Sequence, residues 1–118
     1  MKRDARAYLW DIQQAAAAID RFLDGVGAGD YLESEILRSA VERKFEIVGE
    51  ALGRLARTNP AIAEKIPDAA QIIAFRNILI HGYAAIDDRR VWRIADESLP
   101  SLRRAVAEIL AALPDLGS

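Results

Sequence analysis

The sequence predicts an all-α fold: an antiparallel bundle of four main helices plus one short helical turn, in a single domain spanning residues 1–118. Three observations carry this reading. Apolar residues recur at threes and fours along four long stretches, the spacing that lines one face of an α-helix. No stretch shows the apolar–polar alternation between turn signals that marks a strand. The chain of 118 residues is long enough for one sizeable core and too short for a second.

The first stripe starts at Ala5 and runs Tyr8, Leu9, Ile12, Ala15, Ala16, Ile19, Phe22, Leu23 and Val26. Gly25, Gly27 and Gly29 then break it, since glycine readily takes the left-handed conformation that ends helices. Asp30 and Glu33 have the spacing of a capping box, which predicts a second helix continuing through Leu37, Val41, Phe45, Val48, Leu52 and Leu55 to Asn59-Pro60. Gly49 inside it costs about 1 kcal/mol relative to alanine, so the expectation is that another backbone approaches closely there. Glu46, Glu50 and Arg54 form a polar stripe on the same helix, which an exposed row of ion pairs would also explain.

Residues 60–65 suit one short helical turn, capped by Asn59 and closed by Pro67. A third main helix is expected from about Asp68 through Ile72, Ile73, Phe75, Leu79 and Ile80. Asp87 can cap the last helix, with Ile86 and Val91 placed for a hydrophobic staple and apolar positions continuing through Ile94, Ala95, Leu99, Leu102, Val106, Ile109, Leu110 and Leu113. Pro100 lies inside this pattern, and a kink or break is expected there.

The absence of cysteine excludes disulfides, thiolate metal sites and cysteine nucleophiles. Residues 1–4 run straight into the amphipathic pattern without an apolar leader, and no stretch reaches the length of a membrane span, so no membrane association and a cytoplasmic location are expected. A formal net charge of -2 argues against indiscriminate binding to nucleic acid, so any such contact must be local. Arginine clusters at Arg89, Arg90 and Arg93 and at Arg103 and Arg104, a pattern that a solvated helix face with ion pairs also explains. Trp10 and Trp92 read as core or interface anchors rather than as stacking platforms for bases.

Chemistry concentrates in Arg76-Asn77-Ile78-Leu79-Ile80-His81-Gly82-Tyr83. His81 is the sole histidine and exchanges protons near neutral pH, while Arg76 offers a charged planar fork that matches phosphate oxygens. The pair suits phosphodiester cleavage. In RNA a base must take the 2′-hydroxyl proton and an acid must protonate the leaving 5′-oxygen, a double task for one imidazole. A two-fold dimer would supply two copies of His81 and two of Arg76 to one cleft. Along a regular helix Arg76 and His81 lie about 140° apart, so they converge only if the helix loosens near Ile80, beside Gly82. Arg76, Ile80 and Tyr83 share a face. The plainer reading of His81 is a cap on the last carbonyls of its helix.

Arg76, Asn77, His81 and Tyr83 in this spacing resemble the R-N-x3-H core of HEPN ribonucleases and, in the stricter R-x4-H-x-Y form, the HepT toxins. The resemblance spans nearly the whole chain. It includes Tyr8-Leu9, Asp11-Ile12, the segment from Arg38 through Arg43 to Lys44, Gly49-Glu50-Ala51, Val91-Trp92 and Leu99-Pro100. Two positions depart from it: Asp68-Ala69-Ala70 stands where the family often carries a tryptophan, and Ala84 where it often carries an aromatic residue.

The resemblance implies a homodimeric HEPN bundle that acts as the toxin of a HepT/MntA-type toxin–antitoxin system, a metal-independent endoribonuclease with RNA as substrate and no cofactor. It implies catalytic roles for Arg76, His81 and Asn77, with Glu50 and Arg43 as supporting polar candidates and no metal ligands. The implied partner is an MntA-like nucleotidyltransferase antitoxin that transfers AMP from ATP to Tyr83, with higher oligomers left open. The alternative is a catalytically weak helical binding module that serves as regulator or substrate of such a nucleotidyltransferase.

Overall fold

The computed structural model describes residues 4–82, 84 and 86–113, and all the regular elements among them are helical. Helix α1, Ala5–Phe22, begins where the Asp4 carboxylate accepts the Ala7 N–H at 3.0 Å. Its stripe Tyr8, Leu9, Ile12, Ala15, Ala16 and Ile19 is buried as the periodicity requires. Each large aliphatic side chain in that stripe contributes roughly 1.5–3 kcal/mol of transfer free energy. The helix ends ahead of Gly25, whose φ of 72° lies in the left-handed region.

The second element differs from the expectation. A separate helix α2, Ala28–Glu33, forms first, with Asp30 inside it and Gly27 at its cap position. The capping box predicted at Asp30 is therefore not the start of the long helix. That start is Ser34, which takes extended backbone angles while its Oγ accepts the Leu37 N–H at 3.1 Å, opening α3, Glu35–Thr58. Arg38 donates back to the Leu32 carbonyl and pairs with Asp88 at 3.5 Å, tying α2 and the helix that begins at Asp88 to α3. Tyr31 of α2 is fully buried against Trp92, with ring centroids 5.8 Å apart. Burial, followed by repulsion from Asp88, pushes the nearby Glu42 carboxyl above its ordinary range, while Arg38 pulls it back.

Helix α3 is central, packing along α1 and along the helix that begins at Ala69. Asn59 ends it and begins the one-turn helix α4, Pro60–Ala63, with proline at the position where its missing N–H costs nothing. After buried Ile66, Asp68 takes a left-handed conformation, φ 62°, and starts α5, Ala69–His81. Phe75 of α5 meets Phe45 of α3 edge to face at 5.5 Å.

Asp87 caps α6, Asp88–Arg93, accepting from the backbone of Arg89 and Arg90 as its position predicts. The kink or break expected at Pro100 takes another form. A π-helical turn, Ile94–Ser98, joins α6 to α7, Leu99–Ala112, without interrupting the helical backbone. Proline has no N–H for the carbonyl four residues back and its ring crowds that carbonyl; the widened turn, in which Leu99 donates to Ile94, lies just ahead of it. Helix α7 packs on α1, and no helix among the described residues is long and apolar enough to cross a membrane.

Candidate functional site

The site is built where α3 and α5 come closest. A Cβ at Gly49 would lie 2.3 Å from Arg76 Cβ and 2.7 Å from its Cγ, so the missing side chain is what lets the Arg76 stem lie on α3. The sequence asked for a close approach at Gly49, and the approaching group is this side-chain stem, with the Ile72 carbonyl further off at 3.4 Å. The Arg76 guanidinium donates to Glu50 Oε2 at 2.5 Å and to its neighbour Asn77 Oδ1 at 3.2 Å. The other Glu50 oxygen accepts from Arg54 Nε at 2.8 Å. The Arg76 Nε is buried without a hydrogen-bond partner among the described residues.

Glu50 therefore sits between two arginines. The Arg54 hydrogen bond and then the Arg76 charge hold its carboxyl below the ordinary carboxylate range. Arg54 is held more firmly protonated in return.

A cavity of about 300 Å³ opens at this cluster, lined by residues of α1, α3 and α5. Arg76 and Ile80 both line it, as expected of residues on one face, and Tyr83, expected with them, lies outside the described residues. Arg43 lines the cavity as well, exposed and with no ion-pair partner among the described residues, so Glu50 and Arg43 face the same cavity. Motif reasoning assigned no role here to Tyr8, Asp11, Glu46 or Arg54, which complete the polar lining. Their signal was helical spacing alone: Tyr8 and Asp11 are three apart on α1, and Arg43, Glu46, Ile47, Glu50 and Arg54 share one face of α3.

His81 is placed elsewhere. It is the last residue of α5 and exposed, and it is not among the cavity-lining residues. The helix does not loosen at Ile80 as anticipated: α5 is α-helical through His81, and the Gly82 N–H still donates to the Ile78 carbonyl at 2.8 Å. The regular backbone keeps Arg76 and His81 about 140° apart around the axis. His81 instead shares a face with Asn77, Ala74, Ala70 and Gln71, all exposed. No ring hydrogen bond from His81 to a last-turn carbonyl forms among the described residues, so the capping explanation has no contact to rest on.

The arginine clusters divide in two. Arg90 lies over the Phe75 ring at 5.7 Å and Arg103 pairs with Asp20 at 3.1 Å, while Arg89, Arg93 and Arg104 are exposed. Trp92 is partly buried as an anchor, whereas Trp10 is 55% exposed and no part of the core. No group of three His, Asp or Glu side chains among the described residues is arranged to hold a metal.

The family model described as "Ribonuclease HepT-like" matches residues 12–109. The chain is 34% identical over 107 residues to "Putative RNase MJ1380" of Methanocaldococcus jannaschii, covering 89% of this chain and 95% of that protein. It is 33% identical over 103 residues to "Probable ribonuclease HepT" of Thermococcus cleftensis, covering 87% and 93% respectively. No solved structure matches the chain significantly.

Proposed function

The chain belongs to the HepT-like ribonuclease family, and from that premise we propose that it is a metal-independent endoribonuclease, the toxin of a HepT/MntA-type toxin–antitoxin pair. In this reading it is a cytoplasmic homodimer of four-helix HEPN bundles, silenced by adenylylation of Tyr83.

The observation that carries the reading is the division of labour along α5. Arg76 is held on the cavity side by Glu50 and Asn77, while His81 stands exposed on another face of the same regular helix. One chain thus presents its phosphate binder and its proton carrier apart. Two copies packed along the exposed face of Ala70, Ala74, Asn77 and His81 would place two imidazoles in one cleft, with the two Arg76 groups flanking it. One His81 then takes the 2′-hydroxyl proton as that oxygen attacks phosphorus. The other protonates the 5′-oxygen as its bond to phosphorus breaks, leaving a cyclic phosphate and a free 5′-hydroxyl. Arg76 offsets charge on the phosphate oxygens, and Asn77 orients Arg76.

For control, the Tyr83 phenolic oxygen attacks the α-phosphorus of ATP on the nucleotidyltransferase partner, and pyrophosphate leaves. The resulting AMP–tyrosine adds bulk and an anionic phosphodiester, which would compete with RNA phosphate for Arg76.

The test is RNA cleavage with chelator present by the wild type and by His81→Ala. Wild-type cleavage and loss of activity in the variant, with an unchanged unfolding midpoint, are expected. Intact RNA with the wild type would refute the enzyme and favour the binding module. For the off-switch, the mass of the protein after incubation with partner and ATP should rise by AMP units, and an equal rise in Tyr83→Phe would place the acceptor elsewhere.

A further inference from the structure

We propose that Glu50 is a positioning residue for this reaction: bridging Arg54 and Arg76, its carboxylate holds the Arg76 guanidinium in the orientation in which it meets the scissile phosphate. The inference rests on the ribonuclease reading above and assigns Glu50 a role that the motif does not contain.

The side chain of Arg76 is fixed at both ends. At its base the Cβ and Cγ lie in the space left by Gly49. At its tip Glu50 Oε2 takes one terminal nitrogen and Asn77 Oδ1 takes the other. A guanidinium has five N–H groups, and these contacts use two, so each terminal nitrogen keeps a second N–H for a phosphate oxygen. Glu50 is itself kept from rotating, because Arg54 occupies its other oxygen. An arginine free to sample its rotamers would have to be ordered during the reaction, whereas this one is ordered beforehand.

The same contacts argue that Glu50 is not the general base. Both its oxygens are engaged, and its carboxyl is held below the ordinary range, first by the Arg54 hydrogen bond and then by Arg76. It is a weak proton acceptor at neutral pH. A purely electrostatic role fails in the other direction, since an anion beside Arg76 opposes the binding of phosphate. Removing Glu50 should therefore leave RNA binding unchanged or tighter while slowing the chemical step, a combination that loss of a binding contact does not produce.

The experiment measures kcat and KM on one RNA oligonucleotide, with chelator, for the full-length wild type, Glu50→Ala, Glu50→Gln and Arg54→Ala, together with the pH–rate profile and the unfolding midpoint of each. Glu50→Ala should lower kcat about 100-fold, the scale of loss from a misplaced catalytic group, with KM unchanged or lower and the pH profile unmoved. Glu50→Gln keeps an oxygen acceptor for Arg76 and should recover much of the rate. Arg54→Ala, at a side chain 53% exposed, should fall in the same direction by less, and it carries the test should Glu50→Ala fail to fold. Undiminished kcat in the Glu50 and Arg54 variants overturns the proposal, as does a displaced pH profile, which would make Glu50 a proton carrier. If the wild type leaves RNA intact, the ribonuclease reading falls and takes this one with it; if the wild type cuts and Glu50→Ala cuts equally, only the positioning role falls.

Discussion

Gly49→Ala and Gly53→Ala place the same methyl group on the same helix one turn apart, and the structure assigns them different outcomes. At Gly53 a new Cβ meets nothing within 4 Å, so only the helix propensity changes and stability should rise by about 1 kcal/mol. At Gly49 the Cβ would stand 2.3 Å from Arg76 Cβ, roughly 1.2 Å short of an ordinary carbon contact. Neither partner yields cheaply. The clashing atom is the first carbon of Arg76, fixed to the α5 backbone, so α5 itself must withdraw. Overpacking of this kind costs about 1–3 kcal/mol, which offsets or exceeds the propensity gain. The two variants should thus differ by about 1–3 kcal/mol, or roughly 4–12 °C in unfolding midpoint for a domain of this size. Thermal and urea unfolding, at one protein concentration because an oligomer's midpoint depends on it, measure the difference. A Gly49→Ala protein as stable as Gly53→Ala would refute the claim that α3 and α5 need this gap. Withdrawal of α5 would also carry Arg76 away from Glu50, so RNA cleavage should fall in Gly49→Ala and persist in Gly53→Ala.

Two further outcomes test the fold around α2 and α6. Ser34→Ala removes the side-chain cap that starts α3 and should cost about 1 kcal/mol in urea unfolding, whereas Asp30→Ala, inside α2, should cost clearly less; equal costs would restore Asp30 as a cap. Glu42→Gln concerns a carboxyl whose folded-state pKa is raised, chiefly by burial and then by Asp88. In such a case the ionised group disfavours the folded state above the raised pKa, and the penalty vanishes as pH falls to the ordinary value near 4.5 and below. Glu42→Gln should therefore raise the unfolding midpoint at pH 7 and lose that advantage by pH 4. A difference between variant and wild type that does not change with pH would contradict this.

Periodicity was enough for the helices whose buried faces are continuous. The buried stripe of α1 and the cap at Asp87 are local in sequence, and each appears where its spacing places it. The misreading at Asp30 shows where local signals stop being decisive. Asp30 with Glu33 and Ser34 with Leu37 are both plausible helix starts, and what separates them is tertiary: Tyr31 is buried against Trp92, sixty-one residues away, which fixes α2 as its own element. Pro100 was legible as a disturbance but not as a π turn, because the sequence records the missing N–H and not the means by which the preceding turn accommodates it.

The site divides along the same line. Arg76, Asn77 and His81 lie within six residues, and their chemistry could be read from residue type. Arg54 could be seen only as part of a polar row on α3, and Glu50, named as a supporting candidate, carried no local sign of which residue it meets, since it reaches Arg76 across twenty-six residues of sequence. The one local hint was Gly49. A glycine in the interior of a long helix costs stability unless something needs its space, and here that space is filled by the stem of the arginine that the adjacent glutamate holds. Gly49 and Glu50 thus act on the two ends of one side chain, and the substitutions should separate accordingly. Gly49→Ala moves the helix that carries Arg76 and so lowers both stability and rate. Glu50→Ala leaves that helix in place and releases only the guanidinium, so its rate should fall further than its stability can explain.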